Sequence, residues 1–480
     1  MKKIAILIIL IANITFAYGF DIVSEKTISM GADIVALTPR GFYSTNEGYL
    51  IIADYYRNLQ SKQRVSISKV DKQGNIIWQD SLWHPGYAMD AQKVFVTDQS
   101  YEIFSTIVDD LTHNNNSISR HLLNSDGTII DSVFNIQQDA TLKSGIFLNK
   151  DPQSNLFGFS FLKVKDTSFL YKLQYDHNGV YQSKSIIDSI LSGNDTSYAA
   201  KAILNLENNK YLVACYENIK YDGSNHKIPY LLFIDSDDNI FNRVRIPLDT
   251  NMSVLGMKLI NTSDNSILLF ASIESEKEPY LTSFACKLSE EGNIELMKDS
   301  LKENLSISAI IESSAGSYAI VGTEESDHFT RLFFYIAEID DNLNIKNEKA
   351  WQLGTSSTNI LSDIILDNTS EGINGYTVIG RSITMDNKYV IYFAKINNTT
   401  SVLEDPKWQP ISIFPNPTRD FINTAAYLGW QYQIYDLLGS CVQSGMIDAE
   451  NINVASLPTG FYTVRFFKEG KQVVEKLMKE

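Results

Sequence analysis

An all-β fold built from seven repeated four-stranded units is what this sequence predicts, and three observations carry it. Seven short runs of one character recur: "YLIIA" (49–53), "YEIFS" (101–105), "LFGFS" (156–160), "YLVAC" (211–215), "ILLFA" (267–271), "YAIVG" (318–322) and "YTVIG" (376–380). Their starts lie 52, 55, 55, 56, 51 and 58 residues apart. A period of that length marks a supersecondary unit that buries its faces only against copies of itself. The fifth residue of each run is small, namely Ala53, Ser105, Ser160, Cys215, Ala271, Gly322 and Gly380. Something packs closely there, which we read as the flank of a neighbouring sheet. Between the runs stand tight-turn signals, "DKQGN" (71–75), "NSDGT" (124–128), "DHNGV" (176–180), "DSDDN" (235–239), "SEEGN" (289–293) and "DDNLN" (340–344). Asp and Asn bond their own backbone and Gly takes positive φ, so these are hairpin tips.

Each unit resolves into four strands. An apolar stretch such as "DIVALT" (33–38), "AKAILN" (200–205) or "SDIILD" (362–367) precedes the aromatic-led run. A third run follows, such as "VSISKVD" (65–71) or "SFACKLS" (283–289), and after the tip a fourth, such as "NIIWQDSL" (75–82). Four-stranded sheets repeated seven times fit a seven-bladed β-propeller, in which radial sheets cover one another's faces. Six fourth strands can be found, and the last unit lacks one after "YFAKINN" (392–398). The N-terminal run "DIVSEKTIS" (21–29) supplies it. The N-terminal strand thereby closes the last blade and removes the open sheet edge at the seam.

Upstream of that strand, Lys2 and Lys3 precede the apolar run Ile4 to Ala12, with Ala17 and Gly19 at a cleavage-site spacing. Residues 1–19 read as a signal peptide, too short to span a membrane. Removing Lys2 and Lys3 takes the formal charge from −16 to −18. That balance opposes nucleic acid and anionic membranes as partners. Cys215, Cys286 and Cys441 are an odd and sparse set for an oxidising compartment, so disulfides are not the framework.

The repeat stops near Asn398, and a linker holding Pro406 and Pro410 leads into a second piece. The domains expected are therefore 1–19, a propeller over 20–405, and 406–480. The last piece carries "ISIFPNPTRDFIN" (411–423), "YQIYDLLGSCV" (432–442), "LPTGFYTVRF" (457–466) and "EKLMKE" (475–480). Two prolines fix φ on either side of Asn416 and remove two N–H donors at a strand end. Alternating strands between turn signals predict a small Ig-like β-sandwich.

Those four motifs, in that order, resemble the type A C-terminal sorting domain of the Bacteroidetes type IX secretion system. The resemblance covers residues 411–480 and implies a second address, read in the periplasm, that carries the chain across the outer membrane. It implies as partners the type IX secretion machinery and its sortase, and as destination secretion or the outer-membrane surface. Position by position, the sorting-signal residues would be Pro415, Asn416, Pro417, Gly439, Leu457, Gly460, Tyr462 and Lys476. Cys441 stands where the family more often has a basic or polar residue.

No catalytic signature is found. The six histidines form no HExxH or close pair, and no nucleophile elbow, P-loop or dinucleotide glycine pattern occurs. No catalytic residue, metal site or cofactor is assigned. "DSDDNIF" (235–241) mimics a calcium loop but has Ile240 where the glycine belongs, so it reads as a turn. Cys215 and Cys286 read as packing residues. Asp33 and Asp363 are taken as corresponding positions in units one and seven, adjacent after ring closure, and form a candidate ligand-binding pair at the channel mouth. "DSL" (80–82), "DSV" (131–133), "DSI" (188–190) and "DSL" (299–301) resemble the Asp-Ser/Thr-apolar acceptor of Bacteroidetes O-glycosylation, which makes Ser81, Ser132, Ser189 and Ser300 candidate acceptors. The function expected is a non-enzymatic binding scaffold for an extracellular glycan or protein. The alternative is a propeller-type polysaccharide-active enzyme, a lyase or glycosidase, whose carboxylates converge from distant units.

Overall fold

The structure is a computed structural model, and it describes residues 18–480 apart from 32, 58–61, 109–116, 136–146, 151–155, 192–195, 222–223, 249–251, 276–279, 327–330, 354–355, 357, 369–373, 385, 401–414, 425–426, 428, 437–439, 450 and 469–470. The proposed signal peptide lies outside the described residues except for Tyr18 and Gly19. Close packing divides the chain into two units, Met1–Ser401 and Val402–Glu480.

Among the described residues the first unit contains seven antiparallel four-stranded sheets, each built from strands consecutive in sequence except the last. The first blade is typical, with Ala36–Thr45 innermost, then Gly48–Tyr56, Arg64–Asp71 and Ile76–Leu82. The seventh combines Asn359–Asn368, Asn374–Ile383 and Tyr389–Thr400 with the N-terminal strand Tyr18–Ser29. Asp21 pairs with Asn397 and Ser29 with Val390, as the missing fourth run requires. Each sheet packs on the next, and the seventh packs on the first. The second strands are apolar on both faces because both are covered, which is why "YLIIA" and its copies do not alternate.

The seam is closed by side chains as well as by backbone. Phe20 is buried with its ring edge-on to Tyr376, and Lys349 donates to its carbonyl. Across the seam the Tyr49 hydroxyl of blade one donates to Asp367 of blade seven at 2.6 Å, and Phe42 and Tyr49 pack on Phe393. Arg381 reaches from blade seven to the Leu37 carbonyl.

Hairpin tips interlock the blades. Asp71 accepts the N–H groups of Gln73 and Asn75, and Asp235 and Asp340 do the same in their own turns. The tip glycines then lie on aromatic rings of the preceding blade. A Cβ on Gly127 would stand 2.7 Å from Trp78, and one on Gly292 2.8 Å from Phe233. Lys69 donates to Ser125 at the tip of the next blade, and Lys287 to Asp341 at the tip of the one after its own.

The small fifth residue has a different cause from the one expected. A Cβ on Gly322 would meet the Ser306 carbonyl at 2.0 Å, and one on Gly380 the Ile360 carbonyl at 2.2 Å. Both carbonyls belong to the inner strand of the same blade. There the ladder carries a β-bulge, at Ile307/Ala309 and Leu361/Asp363 in these blades and at Pro39/Gly41, Ala91/Lys93 and Ala200/Ala202 in three others. The bulge tilts a carbonyl toward the second strand, so the crowding arises within the blade.

The second unit is a small sandwich. Its main sheet runs Cys441–Met446, Gln431–Tyr435, Gly460–Lys468, Lys471–Lys479, and Phe421–Asn423 pairs with Asn451–Asn453 opposite. Ile422, Tyr427, Ile434, Val464, Phe466 and Leu477 form its core.

Candidate functional site

The inner-strand bulges set which side chains reach the propeller axis. Immediately after the bulge, Gly41, Lys93, Ala202, Ala309 and Asp363 each face the fourth residue of the adjoining second strand. Lys258 occupies the same level in blade five, opposite Phe270. These residues therefore form one layer of the channel. Lys258 keeps an exposed surface and yet is surrounded by protein, so that burial lowers its pKa, which is the signature of a side chain in a lumen. It feels the charges of Asp363 from blade seven and Arg40 from blade one. Blade five meets blades seven and one only across the axis.

Burial likewise pushes the Lys93 ammonium down. Burial raises the Asp363 carboxyl to about 6, against the N–H donors of Ile364 and Phe42 and the charge of Lys258. In blade one the layer has no side chain of its own, because it is Gly41, and the Tyr43 ring fills the space at 2.6 Å from where a Cβ would stand. Tyr43 in turn senses Asp363.

Beside this layer, on the far side of the bulges, Arg40 binds two acids. Its Nε lies 2.5 Å from Asp54 Oδ2 and its Nη2 3.0 Å from Asp90 Oδ1. Asp54 is only 3% exposed and also accepts the Ala91 N–H at 3.2 Å. Burial, and then Asp90 beside it, raises the Asp54 carboxyl, and Arg40 opposes this without cancelling it.

Asp33 and Asp363 are not at corresponding positions. The register aligns Asp363 with Gly41, whereas Asp33 is exposed in the connection before the inner strand of blade one. Sequence reading missed Lys93, Lys258, Tyr43, Arg40, Asp54 and Asp90. Counting back from the small fifth residue does not align Lys93 with Asp363, since Lys93 lies 12 residues before Ser105 and Asp363 17 before Gly380, and only the ladder register puts both on one level.

In the sandwich, Pro415, Asn416 and Pro417 are exposed. The Asn416 amide donates to the Lys476 carbonyl at 2.6 Å and accepts the Met478 N–H at 2.8 Å. Thr418 and Met478 continue the contact, as the Thr418 N–H donates to the Met478 carbonyl. The Pro-Asn-Pro step thus ends as a side-chain clasp on the last strand, sixty residues away in sequence. Leu457 and Tyr462 are buried, and the Tyr462 hydroxyl donates to the Pro458 carbonyl at 2.7 Å. Gly460 opens a strand, Lys476 is exposed, and Gly439 lies outside the described residues.

Ser81, Ser132, Ser189 and Ser300 all stand on outermost strands. Ser132, Ser189 and Ser300 are exposed, and the Ser132 hydroxyl is bonded to His121 Nδ1 at 2.9 Å. Cys215 and Cys286 are buried, and burial pushes the Cys286 thiol up to about 12. Among the described residues no three His, Cys, Asp or Glu side chains converge as metal ligands, and no helix is long and apolar enough to cross a membrane.

Residues 412–480 match the family described as the secretion system C-terminal sorting domain. No curated protein matches the sequence. Among solved structures, a polysaccharide lyase described as PL25-Ulvanlyase is similar at a TM-score of 0.50 and 8% identity, over 76% of this chain and 95% of that one. The polysaccharide lyase Uly1 gives 0.46 at 10% identity, over 74% and 89%. The β-propeller domain of the Trilobed protease from Pyrococcus furiosus gives 0.39 at 9% identity, over 78% and 98%. At such identities the likeness is one of fold alone. Residues 412–480 are thus a type IX sorting domain that follows an all-β propeller, and that domain implies export, to secretion or the outer-membrane surface.

Proposed function

We propose that the propeller works outside the cell as a non-enzymatic scaffold that binds a glycan or protein at its axial channel. The observation that carries this reading is the meeting of Lys258 of blade five with Asp363 and Arg40 of the neighbouring blades seven and one, which blade five reaches only across the axis. A rigid ring presents such groups at fixed spacing and pays little ordering entropy on binding. A glycan array and a pull-down with the mature full-length protein test it. Binding that Asp363→Asn weakens and Asp33→Asn leaves unchanged supports the reading. Binding to nothing in either screen contradicts it.

One observation favours the alternative, a polysaccharide-active enzyme. Asp54 and Asp90 share Arg40, and the raised Asp54 carboxyl is the kind of group that donates a proton at neutral pH. Incubation with the polysaccharides that bind, followed by reducing-end assay and absorbance of unsaturated products, separates the two readings. Turnover abolished by Asp54→Asn would establish the enzyme.

For export, we propose that the machinery and its sortase contact the exposed Pro415, Asn416, Pro417 and Lys476, while Leu457, Gly460 and Tyr462, with Gly439, shape the turns behind them. We propose a mature chain starting at residue 20, a propeller to 405 and the sorting domain from 406. Ser81, Ser132, Ser189 and Ser300 are the proposed O-glycan acceptors. Intact mass of the exported protein and of a variant with all four serines changed to alanine reads the modification directly.

A further inference from the structure

The chain as a whole is acidic, with a formal charge of −16. One layer of its channel has the opposite character. Lys93 and Lys258 stand there at equivalent register, opposite Phe104 and Phe270. The acid on their level is Asp363, which answers Lys258 from across the axis. One carboxylate on a level with two ammonium groups leaves the layer short of negative charge. The neighbouring charges do not make up the difference, because Asp54 and Asp90 are matched by Arg40 and by Arg381 beside it, two acids to two cations. An enclosed, under-neutralised pair of cations attracts an anion more strongly than surface lysines do, since little water screens it.

The same layer carries an aromatic surface. Tyr43 lies against Gly41, where any other residue would displace its ring. A ring near that carboxyl, at the Gly41 position of the level that holds the two lysines, suits a sugar that bears an acidic substituent, with the ring packing on the apolar face of the pyranose and the lysines holding the charge.

We propose that the channel binds the carboxylate or sulfate groups of an acidic sugar chain, with Lys93 and Lys258 as the anion contacts and Tyr43 as the packing face. This rests on the scaffold reading above and names the ligand class of that same site.

The test uses mature full-length protein in about 0.15 M salt, where the acidic exterior is screened beyond roughly 8 Å. Probes are oligogalacturonate for carboxylate, carrageenan oligosaccharides for sulfate, neutral dextran, and single-stranded DNA. Variants are Lys93→Met, Lys258→Met, the double variant, and Tyr43→Leu, with thermal unfolding of each confirming the fold. Met keeps the length of Lys, so the double variant is expected to remain folded. Retention of one or both acidic sugars, with affinity lost about tenfold per lysine and more in the double variant, is the result expected. The stronger of the two acidic probes identifies the substituent. Equal binding of dextran, unchanged affinity in a folded double variant, or DNA held as tightly and independently of Tyr43 would overturn the proposal. If a protein or neutral glycan binds and no acidic sugar does, this inference fails and the scaffold reading stands. If nothing binds, both fail.

Discussion

Asp363 shows how one residue reports on the channel. Its carboxyl rises from an ordinary 3.8 to about 6 because burial disfavours its charge. The folded state therefore holds its proton more tightly than the unfolded chain, so this group's contribution to stability is greatest below pH 4 and is lost as pH climbs toward 6. The loss is on the order of 2–3 kcal/mol. Asp363→Asn should flatten the stability curve between about pH 4 and 6, as read by urea unfolding across that range. An unchanged slope would place the carboxyl in water. The lysines run in the opposite sense. Burial lowers Lys258, with Asp363 and Arg40 acting on it in opposite directions. Carrying a charge there costs stability at neutral pH, and Lys258→Met should raise the melting temperature. Asn416 acts at the same scale in the second unit. Asn416→Ala removes both side-chain bonds that tie the Pro-Asn-Pro step to the last strand, and the full-length protein should then accumulate in the periplasm in a fractionation assay while the propeller stays folded.

At the scale of elements, tips and bulges divide the work. Gly127 combines a φ of +89° with a ring of the preceding blade beneath it. Gly127→Ala should cost about 1–3 kcal/mol in chemical unfolding, from backbone strain and overpacking together. Gly380→Val should cost more, because the obstacle is a carbonyl of the same blade and not a side chain that turns aside. The turns were legible in the sequence because Asp, Asn and Gly act on their own backbone within five residues. Asp71 and Asp235 bond as their spacing demands. The closing strand was legible for a related reason: a count of fourth strands came out one short, and only "DIVSEKTIS" was left to fill it. The bulges left no such mark. A bulge adds one residue to a strand without changing its composition, so the sequence alone ascribes the small fifth residue to a neighbouring sheet and matches Asp33 to Asp363.

For the whole molecule, the address was readable and the site was not, and geometry explains both. The sorting motifs sit within seventy residues and specify local turns. The channel layer draws Gly41, Lys93, Lys258 and Asp363 from four blades spread over more than three hundred residues, and each alone resembles an ordinary strand residue. Ring closure is what brings them together. Deleting residues 20–29 should therefore remove Phe20 from the seam, open the ring at its last blade and yield a chain that fails to unfold cooperatively in calorimetry.

Hydrogen–deuterium exchange of the mature protein, with and without a saturating acidic oligosaccharide, tests the central claim most directly. The account predicts slowed exchange in the inner strands Ala36–Thr45, Ala88–Val96 and Met252–Asn261, with the outer strand Ile76–Leu82 unchanged. Protection confined to outer strands or to residues 415–480, or none at all at saturation, would contradict it.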